Sequence, residues 1–247
     1  MSERPILMSA PMIKAILAGE KTTTRRVVKL PTPRGERNRL EADDWEVTPT
    51  GDGRLHVTLA HGDTPWDTRS GISRGMQDHV LRAPYDVETL WVRETWSPDH
   101  RHVYPCPSVV YRADGYVDEP IECRCSFDER RRGQTSAECL KCAGFKWRPS
   151  IFMPRNKSRL TLRVTGVRVE RLHAITDEEA LREGVRPLWL QEGEPGCWYT
   201  GDPSKGAAMH ARTPRGAFEK LWVAINGRAS WDASPWCWAI DFERVTP

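Results

Sequence analysis

The sequence predicts an α+β chain built around a small, strand-rich sheet, and three observations carry that expectation. Residues 160–172 alternate apolar and polar side chains (Leu160, Leu162 and Val164, then Val167 and Val169), the period of a half-buried strand. Two short helical patterns, at residues 12–18 and 214–226, stand far apart with strand signals between them. The resulting order is strand, helix, several strands, a short helix, another helix and a strand. It lacks the regular strand–helix alternation of a parallel sheet and suits an α+β or small-barrel layout.

The whole chain sets bounds on its class. Its 247 residues suffice for one large domain with a substantial insertion. A mean hydropathy of −0.61, with no apolar run near the roughly 20 residues of a membrane span, predicts a soluble protein without a membrane partner. Met1-Ser2-Glu3-Arg4-Pro5 lacks the basic-then-apolar order of a secretion signal, so the expected location is cytoplasmic. With 37 basic residues against 34 acidic ones, global charge gives no reason to expect nucleic-acid binding, and any positive site must be local. Eleven tryptophans suit either a base-stacking surface or ordinary core filling.

Taken in order, Pro5-Ile6-Leu7-Met8 reads as a strand, and Ser9 as the cap of a helix that tolerates Pro11 in its first turn. That helix, Met12 to Ala18, should stop at Gly19. Val27-Val28 suggests an extended segment. Residues 45–48 and 55–59 alternate around Pro49-Thr50-Gly51-Asp52-Gly53, a hairpin signal, and residues 62–75 read as a loop. Residues 90–96 form one strand ending in charge, with residues 109–112 as a possible partner. Ile151-Phe152-Met153-Pro154 is expected to resume the core after residues 114–146, which lack apolar periodicity and look like an insertion. Gly166 marks a bend or bulge in the long strand. Thr176-Asp177-Glu178-Glu179 is a capping box whose helix should stop at Gly184, and residues 191–213 read as a Gly-rich loop. Thr213-Pro214 opens a helix with Phe218, Leu221, Trp222 and Ile225 on one face, closed by Asn226-Gly227, and residues 236–242 are the final strand.

Two clusters carry chemistry. Cys123-x-Cys125 and Cys139-x-x-Cys142, thirteen residues apart inside the insertion, suit a tetrahedral structural zinc that would supply the folding energy this polar segment lacks. The first pair is tighter than the usual spacing, which leaves free or redox-linked thiols open. Cys106 is a reserve ligand, and Cys197 and Cys237 are expected to be simply packed. No phosphate loop, dinucleotide fingerprint or His-Glu-x-x-His is present, and no cofactor is expected for catalysis. The second cluster is Gly19-Glu20-Lys21-Thr22-Thr23-Thr24-Arg25-Arg26. Its lysine, hydroxyls and cationic pair could activate a nucleophile, hold a phosphate, or form an ordinary basic turn.

Here the chain resembles ASCH domains, which share the PUA-like fold. Their motif, Gly-x-Lys-x-x-Glu-x-Arg after a short helix, is matched by Gly19, Lys21 and Arg26, with Thr24 in place of the glutamate. Residues 90–96, 147–151, 167–172 and 231–242 are similar to blocks of ASCH proteins found in phages and prophages. The resemblance covers most of the chain outside the cysteine insertion. It implies a single domain over 1–247, a PUA-like small β-barrel with flanking short helices.

Residues 16–24 are also similar to small bacterial ASCH enzymes that hydrolyse N4-acetylcytidine with a lysine, a threonine three residues on and a glutamate in a later short helix. By motif position these are Lys21, Thr24 and Glu183. The resemblance thus implies amide hydrolysis on a modified nucleoside. Lys21 would take the Thr24 proton, Glu183 would orient Lys21 or relay the proton, and Arg26 and Arg25 would bind substrate or oxyanion; in the rival binding module Trp91, Arg93 and Trp96 would form a stacking wall. In a regular strand residues 21 and 24 face opposite sides, so this reading requires a turn or bulge there. The rival expectations are a non-catalytic RNA- or nucleotide-binding module and a ribonuclease, with RNA as partner in both.

Overall fold

The computed structural model describes residues 2–30, 45–50, 54–59, 78–98, 109–114, 147–189, 195–201 and 209–245. Its centre is a five-stranded sheet of β1 (Glu3–Leu7), β6 (Thr89–Arg93), β9 (Thr161–Arg171), β13 (Trp236–Val245) and β2 (Thr23–Val27), in that spatial order. β1 and β6 run parallel and the other pairs antiparallel. The fold is thus mixed α+β and strand-rich, and the ladder of this sheet is open among the described residues.

The two long strands β9 and β13 are the spine. Alternation divides β13 between two cores: Trp238, Ile240 and Phe242 face one, and Cys237 faces the other. The first core adds Ile13 and Ile16 of α1 (Ala10–Leu17), Leu90 and Val92 of β6, and Leu55 and Val57 of β4 (Arg54–Leu59). The second lies under three helices, α2 (Asp177–Arg182), α3 (Pro214–Asn226) and α4 (Arg228–Asp232), with Ala180, Phe218, Trp222 and Trp231 at its centre. The register of β9 against β13 shifts between Asp241 and Phe242, opposite Gly166, so the bulge falls where the glycine predicts it.

Local signals placed most elements. Ser9 occupies the cap position of α1, but its side chain makes no capping hydrogen bond. Gly19 ends α1 at φ +75, and Gly184 follows α2 at φ +97, both in the region that favours glycine. Thr176 and Glu179 form the reciprocal capping box of α2, and Thr213 caps α3 through the Gly216 amide. The predicted hairpin is β3 (Trp45–Thr50) with β4, extended by β5 (Asp78–Leu81).

Four expectations need correction. Residues 90–96 are not one strand: β6 ends at Arg93, and β7 (Trp96–Pro98) pairs instead with β8 (Val109–Tyr111). Between them the Glu94 carboxylate turns inward to a two-pronged contact with Arg159. Residues 151–154 do not resume the core as a unit. Ile151 and Phe152 are exposed on a 3-10 turn bounded by Pro149 and Pro154, and only Met153 is buried. The segment read as a Gly-rich loop contains β11 (Pro195–Thr200) and β12 (Met209–Ala211), which form a sheet with β10 (Arg186–Trp189). Ile225, placed on the apolar face of α3, is 56% exposed.

The candidate zinc ligands Cys123, Cys125, Cys139 and Cys142, the reserve ligand Cys106 and most of the 114–146 insertion lie outside the described residues, as does the 62–75 loop. Among the described residues no group of three or more His, Cys, Asp or Glu side chains is placed to hold a metal.

Candidate functional site

The site begins in the turn between α1 and β2. Glu20 and Lys21 both donate their amides to Ala15 O, which folds the chain back over the end of α1 before β2 starts at Thr23. Lys21 therefore sits in the turn that precedes the strand, as the pairing of residues 21 and 24 requires. Thr22 N donates to Arg182 O, which fastens the same turn to the last residue of α2. Gly184 makes that approach possible: a Cβ there would lie 3.2 Å from Ala15 Cβ and 3.4 Å from Lys21 Cβ.

Lys21 is buried, and its ammonium donates to Glu183 Oε2 at 2.6 Å, Glu183 O at 2.8 Å and Thr23 O at 2.8 Å. An ammonium has three protons to donate, and these acceptors take all of them. Burial pulls the Lys21 ammonium below its ordinary value; Glu183 opposes this, and the Arg26 and Arg25 charges add to it. Glu183 Oε1 accepts from Arg25 Nη1 at 3.2 Å, so one buried carboxylate bridges two buried cations.

Arg25 extends the network outward. Its Nη2 donates to Glu170 and to Glu179 Oε2. Arg168 in turn donates to Glu170, Glu179 and Asp241, and Arg182 donates to Asp241 at 2.7 Å. Asp241 also accepts from Thr23 Oγ1 at 2.6 Å. Lys21, Arg25, Arg168 and Arg182 thus alternate with Glu183, Glu170, Glu179 and Asp241, four charges of each sign, running from fully buried at Lys21 to half exposed at Arg182. Such a network holds its members in place, because removing any inner member strands a buried charge.

Beside it opens a cleft of about 260 Å³, with Thr24 to Val27 of β2 on one wall and Phe218, Trp222 and their neighbours on α3 on the other. Thr24, Arg25 and Glu183 reach it, as do Tyr85, Met12 and the exposed Lys29. Phe218 and Trp222 lie 6.0 Å apart between ring centroids, and the Arg25 guanidinium stands 6.0 Å from the Phe218 centroid. Arg25 Nε is buried without a hydrogen-bond partner among the described residues. Thr24 and Arg25 follow each other along β2 and so present their side chains to opposite faces of the sheet, with the cleft running along the strand's outer edge.

The residues expected from the sequence divide cleanly. Lys21 and Arg25 are both bonded to Glu183, and Thr24 lines the same cleft as Arg25 and Glu183. Arg26 borders the cleft, but its Nη2 is committed to Leu7 O at 2.6 Å. Trp91, Arg93 and Trp96 do not join them. Trp91 is buried with the Arg93 and Arg155 guanidinium groups 4.7 and 5.9 Å from its ring centre. Trp96 packs with Val109, Tyr111 and Met153 in a separate cluster.

Phe218 and Trp222, buried in the second core as their helical spacing predicts, are the aromatic rings that border the cleft. The outer network was overlooked. Its signal was the strand pattern that puts Arg168 and Glu170 on one side of β9, opposite Val167 and Val169. Comparison of the chain with protein-family models, with curated proteins and with solved structures finds no match.

Proposed function

We propose that the chain is an ASCH-type protein with a PUA-like small barrel, and that its cleft hydrolyses the exocyclic amide of an N4-acylated cytidine. The observation that carries the reading is the buried Lys21–Glu183 pair at 2.6 Å, whose Glu183 lines the same cleft as Thr24. The barrel is supported by Arg26, whose bond to Leu7 O ties β2 to β1, the two edges of the central sheet.

In this mechanism burial, which pulls the Lys21 ammonium below its ordinary value, lets Lys21 lose a proton to solvent and act as a free amine. That amine takes the Thr24 proton while Thr24 Oγ1 bonds to the amide carbonyl carbon. The C–N bond then breaks, the Lys21 proton goes to the departing cytidine nitrogen, and acetyl remains on Thr24. Water, deprotonated by Lys21, releases acetate and restores the hydroxyl.

Acetate release from N4-acetylcytidine is the test. Thr24→Ala should abolish turnover while nucleoside binding changes less than about threefold, since a small hydroxyl is removed from a formed cleft. A second reading, binding without chemistry, is favoured by the three acceptors that already occupy Lys21. It predicts nucleoside binding with no acetate from the wild-type protein. Cleavage of RNA that survives Thr24→Ala but not Lys21→Ala would sink both.

A further inference from the structure

In an antiparallel pair, alternate residues turn both their N–H and C=O toward the partner strand or away from it. Val28 N donates to Trp236 O, and Phe242 N donates to Thr22 O, at the two ends of the β2–β13 ladder. Counting inward, Thr24 and Arg26 face β13, whereas Thr23, Arg25 and Val27 turn outward. Thr23 O is taken by Lys21 Nζ. The main-chain groups of Arg25 and Val27 have no partner among the described residues, and both residues line the cleft. Arg25 as a residue is 4% exposed while its side chain is 0% exposed, so what it shows to solvent is its main chain.

We infer that this outward edge of β2, the N–H and C=O groups of Arg25 and Val27, reads the ligand by pairing edge-on with a planar heterocycle held in the cleft that Phe218 and Trp222 border. The inference rests on the nucleobase reading of the cleft and adds how the base is recognised. Unpaired strand edges favour a partner that supplies matched donors and acceptors. A pyrimidine carries these side by side on one edge and has a face to stack.

An extended peptide adding as a strand is the other chemistry such an edge accepts. Two features disfavour it. The Lys21–Glu183 pair occupies the edge at Thr23 and leaves only two outward residues free, and about 260 Å³ lies below the roughly 300–1,000 Å³ usual for ligand clefts. The space suits one small ring system.

The test uses the 15N-labelled full chain with cytidine, so it reads binding independently of turnover. Saturating cytidine should slow hydrogen exchange of the Arg25 and Val27 amides by about tenfold or more. 3-Deazacytidine, which lacks the ring acceptor, should bind about tenfold more weakly, whereas 5-methylcytidine, altered on the opposite edge, should bind like cytidine. Val27→Pro removes an N–H that β13 does not use and should weaken cytidine binding similarly, while Val27→Ala should not.

Cytidine binding that leaves both amides unchanged, or 3-deazacytidine binding as tightly as cytidine, overturns the main-chain reading and leaves the hydrolysis proposal to its own assay. Failure of cytidine to bind at all overturns it as well. So does protection of these amides by short peptides in place of cytidine, which would assign the edge to strand addition.

Discussion

Glu183 holds two buried cations, so its charge is a sensitive point in the molecule. Glu183→Gln leaves Lys21 with two carbonyl acceptors and no counter-charge, and removes one of the carboxylates around Arg25. Breaking a buried pair from one side costs about 3–5 kcal/mol, so urea unfolding should show a large fall in midpoint. Replacing both partners with apolar side chains removes the stranded charge. The double variant Lys21→Met, Glu183→Leu should therefore be more stable than Glu183→Gln, yet equally inactive in acetate release. A double variant no more stable than the single would mean that the pair does not dominate the energetics here. Cys237 offers a second check at this scale. Burial pushes its thiol up to about 12, so peptide-mapped alkylation at neutral pH should label the half-buried Cys197 and spare Cys237 until the chain unfolds.

Among the elements, α2 does most to connect sequence to site. Its capping box was legible because Thr176 and Glu179 act within one turn, and Gly184 was legible as its end. What the local pattern did not carry is that Glu179 serves twice: it accepts from the Thr176 amide at 3.2 Å and also from Arg25 and Arg168. Thr176→Ala should cost about 0.5–2 kcal/mol as a lost cap and loosen the network with it. Burial raises the Glu179 carboxyl, but the Thr176 amide and the two guanidinium groups outweigh it, and the group lies below its ordinary 4.5. Glu179 thus contributes stability above pH 4.5 that is lost as pH falls through its lowered folded value. The stability gap between wild type and Glu179→Gln should accordingly be full near neutrality and shrink in acid, measured by urea melts across pH. A gap that widened in acid would reverse the assignment. Strands β11 and β12 escaped the sequence reading for the opposite reason. Pro195 and Gly196 of β11 and the glycines between the two strands read as loop, and the register that makes them strands is set by pairing with each other and with β10.

At the scale of the whole molecule, strand existence was legible from period two, but strand order was not, because pairing partners are set by contacts distant in sequence. Lys21 and Glu183 lie 162 positions apart, and Arg25 and Glu170 145. Composition and spacing cannot bring such pairs together. Motif position did so for Glu183, and nothing did so for Glu170, Glu179 or Asp241. The same distance effect changes the part given to Arg26. Read locally it is a substrate cation, yet in the fold its guanidinium spans the two open edges of the sheet, from β2 to Leu7 O at 2.6 Å. A charge-assisted bond of this kind contributes about 1.5–3 kcal/mol, and this one acts between edges that no ladder joins among the described residues. Arg26→Ala should therefore lower stability by an amount in that range and do so unevenly. Amide exchange should accelerate most in β1, which has β6 as its one ladder partner, and least in β9 and β13, which are paired on both sides. KM for N4-acetylcytidine should change little if Arg26 is an edge tie. A rise in KM of about tenfold or more with β1 exchange unaltered would return Arg26 to the role of substrate ligand.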